Sequence, residues 1–212
     1  MAFPVTIQGS FGDEKVTSST KKNRIGARMV LPDGSAFVYA YAGEAITAGK
    51  VTMQAQTASD HIKDLAVASA ASAGATQIVL TNGGSTAVTA SSSYTGVGTT
   101  VGDYEDGYVF INDVNGEGQM WSIKNHSVAA TGAALTINLH DTDKVATALT
   151  TSSQAGILKN PHNGVEVWDT NDIDGIAAGV PRCDVTANYY FWNQVYGPAA
   201  VLTNGTVVLG KN

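Results

Sequence analysis

At 212 residues the chain can bury a real core, either as one large domain or as two small ones. Charged side chains make up 14% of it, against about 25% in a typical globular domain, and Gly reaches 23 residues, a mixture that favours short strands and many turns over long salt-bridged helices. The formal net charge of -6 argues against a strongly basic nucleic-acid binder, and a single cysteine, Cys183, excludes an intrachain disulfide framework.

Residues 1–24 read as an extended arm. Pro4, Gly9 and Gly12 break any helix there, and Thr17-Ser18-Ser19-Thr20 offers no core face. Residues 1–30 hold Lys15, Lys21, Lys22, Arg24 and Arg28 against Asp13 and Glu14, a balance of +3 that leaves -9 on the remainder. A basic arm on an acidic body suits either an acidic partner surface or a solvated tail. Only one aromatic, Phe11, stands among those cations, so nucleic acid is not an expected partner. Met1 to Ser10 lacks the basic and apolar regions of a signal peptide, and no stretch approaches the roughly 18 apolar residues of a membrane span. Synthesis in a cytoplasm, with no membrane partner, is the expectation.

Arg24 to Leu31 is the first regular element, and Pro32-Asp33-Gly34 turns the chain because Pro presets φ and Gly accepts positive φ. Ala36 to Ala42 is a strand with Phe37, Tyr39 and Tyr41 on one face; Val51, Met53 and Ala55 could pair onward. Thr57 to Asp64 reads as a loop, and Ala66 to Ala73 as either helix or loop. Ala75–Thr81, Asn82-Gly83-Gly84 and Ser85–Thr89 form a hairpin candidate. Ser91 to Gly102 reads as a surface loop.

The strongest strand signal lies between Asp103 and Leu139. Tyr104–Asn112, a turn at Asn115-Gly116-Glu117-Gly118, Gln119–Asn125 and Ala133–Leu139 show the alternation of half-buried strands. Lys144 to Leu149 suggests a short helix capped by Asp143. Ala155–Leu158 and Gly164–Trp168 are short strands, and Asp169 to Gly175 is an acidic loop. Tyr189–Trp192, Ala199–Leu202 and Thr206–Leu209 complete a β-rich end. Phe37 to Val51 is echoed by Phe191 to Val207; the echo reads either as an internal two-fold that would make the first and last strands neighbours or as chance similarity in a low-complexity β sequence.

The expected fold is therefore mainly β: an antiparallel sandwich or barrel-like domain with an extended N-terminal arm and long loops. The arm is 1–24, and 25–212 forms either one β-rich domain or two small β subdomains with a break near 141–163.

No residues assemble into a reaction centre in the sequence. Asp169, Asn171, Asp172 and Asp174 crowd hard oxygen donors near Gly175, but Pro181 falls where an EF-hand needs its bidentate Glu, so no metal or cofactor is expected. His61, His126, His140 and His162 lack metal-ligand spacing and read as surface or turn histidines. No GxSxG elbow or phosphate loop occurs. Asp103, Glu105, Asp106 and Glu117 are sequence neighbours, and Cys183 reads as a small filler. Tyr189, Tyr190, Phe191, Trp192 and Tyr196 must point to both faces of their strand, which fits an oligomer interface or a two-sheet core.

The segments DGSAFVYAYAGEAITAGK, DYEDGYVFINDVNGEGQMWSIKNH, ILKNPHNGVEV and ANYYFWNQVYGPAAVLTNGTVVLG, in that order over roughly residues 30–210, resemble virion structural proteins of tailed, often marine, bacteriophages. The resemblance implies a non-enzymatic capsid decoration (cement) protein on the virion surface. Its implied partners are the major capsid protein and copies of itself, a homo-oligomer such as a trimer. The arm cations Lys15, Lys21, Lys22 and Arg24 would contact the capsid, and the five aromatics an interface. The alternative is a tail fibre or spike that binds host glycan.

Overall fold

The computed structural model describes residues 6–54, 56–89, 101–168 and 175–202. The protein is mainly β and barrel-like. Its strands are β1 (Thr6–Gln8), β2 (Arg28–Val30), β3 (Ala36–Ala42), β4 (Thr52–Met53), β5 (Leu65–Ser69), β6 (Gln77–Thr81), β7 (Tyr108–Asp113), β8 (Met120–His126), β9 (Ala134–Leu139), β10 (Gln154–Leu158), β11 (Asn163–Val167), β12 (Ala177–Pro181) and β13 (Tyr190–Tyr196). The chain divides into two compact units. An outer unit combines Met1–Gln54 with Gly164–Asn212, and a continuous inserted unit is Ala55–Asn163. Among the described residues no helix is long and apolar enough to cross a membrane.

The inserted unit is a closed antiparallel barrel in the order β10-β5-β6-β9-β8-β7, with β7 returning to β10. Alternate residues of every strand fill it: Leu65 and Val67, Ile78 and Leu80, Val109 and Ile111, Trp121 and Ile123, Leu135, Ile137 and Leu139, Ala155 and Ile157. Each Val, Leu or Ile so buried contributes about 1.5–3 kcal/mol, and closure of the ring pairs the strand edges with one another.

The outer unit closes a smaller ring, β3-β11-β4-β12-β13, because β13 pairs back onto β3 with Phe191 opposite Ala40 and Trp192 opposite Tyr39. Small side chains line its interior, so Phe191 fills the centre among Ala40, Ala42, Ile46, Val165, Ala178 and Val185. The other face of β3 and β13 is covered by the N-terminal segment. β1 runs parallel to β2, Ser18 and Tyr190 exchange both backbone hydrogen bonds (3.0 and 2.8 Å), and the Lys22 N–H donates to the Tyr39 hydroxyl at 3.1 Å. Tyr190 stacks on Tyr39 at 5.6 Å and Trp192 meets the same ring edge-on at 4.9 Å. What holds residues 6–24 in place is thus the chain's own barrel.

One local device recurs five times: Ile46-Thr47-Ala48-Gly49-Lys50, Ala71-Ser72-Ala73-Gly74-Ala75, Ala129-Ala130-Thr131-Gly132-Ala133, Leu149-Thr150-Thr151-Ser152-Ser153 and Val185-Thr186-Ala187-Asn188-Tyr189. In each, the fifth N–H donates to the second carbonyl, over 3.0–3.2 Å. The first residue forms an isolated bridge, Ile46 with Val185, Ala71 with Leu149, Ala129 with Val88. The fourth takes positive φ in four copies, three of them Gly and the fourth Asn188 at φ 64, which is why that place favours Gly or Asn. In the outer unit the copies face one another reciprocally: Gly49 N–H donates to the Pro181 carbonyl and Asn188 N–H to the Ala42 carbonyl, both at 2.9 Å. A local two-fold therefore relates 42–50 to 181–189, and β3 and β13 are neighbours as expected; the end of the expected echo, from 203 to 207, lies outside the described residues.

Several sequence expectations are corrected. The central strand starts at Tyr108, because Gly102–Gly107 winds into turns with Asp106 at φ 58. β6 pairs with β5 and β9 rather than with 85–89. Asn82 does not sit at a hairpin tip; its buried amide donates to the Thr86 and Ala129 carbonyls. Residues 144–149 are not helical, since the Val145 and Leu149 N–H groups donate across to Ala75 and Ala71. Residues 199–202 are irregular, and β12 appears where no strand was expected. The expected strand Thr206–Leu209 and most of the loop 91–102 lie outside the described residues.

The β7–β8 turn carries a conformational cost. Val114 is β-branched, 46% exposed and at φ 66, a region that costs an ordinary L-residue about 1–2 kcal/mol. Val114→Asn is expected to raise unfolding stability by about 1 kcal/mol, read as a higher denaturant midpoint at unchanged slope.

Candidate functional site

In the outer unit the expected contact residues separate into two groups. Lys15, Lys22 and Arg24 are exposed and Lys21 is half-buried, on a segment whose backbone is fixed to the barrel. Of the aromatics, Tyr190, Phe191 and Trp192 are buried in the unit's own packing, Tyr189 is half-buried, and Tyr196 is 68% exposed. Burial within the chain takes the central three out of reach of any partner.

Arg182 ties the segments of this unit together. Its Nε donates to Gln194 Oε1 at 2.8 Å, Nη2 donates to Ser35 Oγ and the Pro198 carbonyl, Nη1 lies 3.9 Å from Glu14 Oε1, and the guanidinium sits 5.0 Å over the Phe37 ring. Glu14 is 4% exposed, so the pair anchors the short 3-10 turn Asp13–Lys15 from inside. Beside Arg182 a cleft of about 450 Å³ runs between Lys15, Gly49, Pro181 and the Pro198–Leu202 segment. The Leu202 N–H donates to the Gly49 carbonyl at 2.8 Å. Cys183 is half-buried, and burial, with the Asp184 charge behind it, pushes its thiol up, away from reactive thiolate.

In the inserted unit a cleft of about 510 Å³ is lined by Thr57, Ser59, Thr86, Thr89, Asp103 and Lys159, with His61 and Tyr104 also in its wall. Lys159 Nζ stands 3.9 Å from Asp103 Oδ1, and Asp103 Oδ2 accepts the Thr89 N–H at 2.7 Å. Asp60 Oδ2 accepts the Ser85 and Thr86 N–H groups; burial works to raise its carboxyl, but these donors outweigh it and hold it below the usual range.

The histidines differ most from expectation. His61 is 1% exposed and His126 is fully buried, each held by defined hydrogen-bond partners; sequence spacing gave no sign of this because, the neighbouring Ser127 apart, those partners come from separate loops. Burial lowers the pKa of His126 and of His162. Glu105 and Asp106 are buried and Glu117 is exposed on the β7–β8 turn, so the sequence-adjacent carboxylates do not form one exposed group. Among the described residues no three His, Cys, Asp or Glu side chains converge as metal ligands; Asp169 to Asp174 lie outside them. No family model, curated protein or solved structure matches the chain.

Proposed function

We propose that this chain is a virion structural protein, a decoration protein that binds across major capsid protein subunits on a phage head and also contacts copies of itself. The observation that carries the reading is the edge presented by the N-terminal segment. Phe11 (66% exposed) and Val16 (60%) flank the 3-10 turn that bears Lys15, on backbone already fixed to the barrel. Large apolar side chains held in water beside a lysine suit a protein partner with an apolar, acidic surface. Because the segment is already ordered, docking avoids the entropy of ordering it. The inserted unit carries nine Asp and Glu against four Lys, so a neighbouring copy offers net negative charge to Lys15, Lys21, Lys22 and Arg24.

The test is re-decoration of purified heads that lack the protein. Wild type is expected to fill icosahedral sites, and Phe11→Ser with Lys15→Glu to lose at least about tenfold in affinity, the equivalent of about 1.4 kcal/mol. Wild-type occupancy by the variant would remove the segment from the interface. Residence of the wild-type chain at the tail alone would end the decoration reading. Deleting residues 1–24 is a poorer probe, because it removes β1, the Ser18–Tyr190 pairing and buried Glu14 from the fold.

The hydroxyl-lined cleft of the inserted unit favours a second reading, a fibre or spike that binds host glycan. Retention on a glycan array, with low copy number per particle, would support it over decoration.

A further inference from the structure

Tyr104 stands between two buried histidines of the inserted unit. Its hydroxyl lies 2.5 Å from His61 Nδ1, and its backbone N–H donates to His126 Nε2 at 3.0 Å. The surrounding acceptors assign the ring protons. His126 Nδ1 lies 3.0 Å from the Ser127 carbonyl and must donate to it, which leaves Nε2 as the acceptor for Tyr104. His61 Nε2 faces Asn82 Oδ1 at 2.8 Å and the Thr86 carbonyl at 3.2 Å, both acceptors, so Nε2 carries the hydrogen and Nδ1 accepts from the tyrosine hydroxyl. Each ring holds Tyr104 through a nitrogen lone pair, and that of His126 Nε2 exists only while its ring is neutral.

We propose that His126 and Tyr104, with His61 bracing the tyrosine hydroxyl, form an acid-sensitive latch: at neutral pH it closes segment 101–107 onto the barrel, and proton uptake by His126 releases that segment. A proton on His126 Nε2 would set an N–H against the Tyr104 N–H. One buried donor would then be orphaned, at about 1–3 kcal/mol, and a cation stranded in a buried site. Movement of the segment away from His126 relieves both, against the remaining ties from Asn160 to the Asp106 carbonyl and from Asn163 to the Gly102 carbonyl.

The charged neighbours determine the direction. Asp103 and Glu105, on the segment itself, face His126 and favour its cation, yet burial outweighs them and lowers its pKa. The β9 residue opposite is the uncharged Ile137, and Lys159, after β10, lies on Asp103. Asp60 Oδ1 stands 3.9 Å from His61 Nε2. A histidine lowered in the closed state takes up its proton more readily once opened. Closure is therefore most stable above the ordinary histidine pKa of about 6.5 and weakens as pH falls below it. Asp103 and Tyr104 also wall the cleft of about 510 Å³, so release reshapes that cleft at mildly acidic pH.

Amide hydrogen exchange of the full chain between pH 8 and pH 5, corrected for intrinsic rates, tests the latch. In wild type, opening of residues 101–107 is expected to rise by up to about tenfold per pH unit below pH 6.5 for each proton taken up, while Ile78 and Ile137 in the barrel remain protected. In His126→Gln, whose Oε1 offers a non-titrating acceptor near the Nε2 position, the rise should flatten. A wild-type profile without the rise overturns the proposal, as does the same rise in His126→Gln. Should that variant not fold, imidazole nitrogen shifts in wild type decide: Tyr104 amide protection must fall as His126 protonates, and protection that outlasts protonation overturns the latch.

Discussion

Gly156→Ala is expected to destabilise the inserted barrel by about 3 kcal/mol, at the upper end of overpacking costs. Gly156 lies in β10, and a Cβ there would press into the Ile62 carbonyl oxygen and the tip of the Phe110 ring, with the Ile62 carbonyl carbon at 2.8 Å. The ring could rotate away, but the Ile62 backbone cannot withdraw cheaply. The next residue along, Ile157, donates its N–H to the His61 carbonyl at 2.9 Å, so the 61–62 segment is fastened to β10 where it would have to retreat. His61 is itself hydrogen-bonded to Tyr104 and Asn82, which spreads the displacement into three loops. Chemical unfolding should show a lower midpoint in the alanine variant. A shift worth less than about 1 kcal/mol would mean that the strand and loop separate without strain.

Phe191→Ala is expected to cost the outer unit about 3–5 kcal/mol. Its ring is fully buried and its neighbours are mostly alanine and valine, so the wall has few long side chains that could swing in to fill the space. The loss combines apolar transfer with an unfilled cavity. Phe191→Leu retains most of the volume and should recover more than half of that stability, as compared by denaturant midpoint. Equal losses in the two variants would argue that the site collapses freely and that the ring is not the centre of the unit.

The sequence made the alternating strands legible and left the polar interior hidden. Ile78 and Leu80, or Leu135, Ile137 and Leu139, announce a half-buried strand by period alone, and β3 ran over the predicted Ala36–Ala42. β12 escaped because Ala177-Ala178-Gly179-Val180-Pro181 has neither bulk nor alternation, and it pairs with β4 and β13 from distant parts of the chain. The hairpin at 82–84 failed because Asn82 is engaged by His61 and by the distant Ala129 carbonyl as well as by Thr86, which no turn rule encodes. His61 and His126 carried no signal for the same reason: their partners at 82, 86 and 104 are brought in from other parts of the chain. The recurrent bridge-and-turn device was visible in principle as an apolar residue followed by Thr or Ala and a Gly or Asn, but such short words are common in a chain this rich in small residues.

The pairing of β4 with β11 bears on how this protein could have been put together. Met53 lies opposite Glu166 and Thr52 opposite Val167 in an antiparallel ladder, so the points where the outer unit is interrupted are adjacent strand ends. Within the insert, the Lys159 N–H donates to Thr57 Oγ1 at 2.9 Å, which brings its two ends together as well. A two-residue turn such as Asn-Gly would splice the outer ring into an uninterrupted hairpin, and the six-stranded barrel could be lifted out as a cassette with both ends side by side. Such a junction lets a host fold acquire, exchange or lose a whole guest module without re-threading either one.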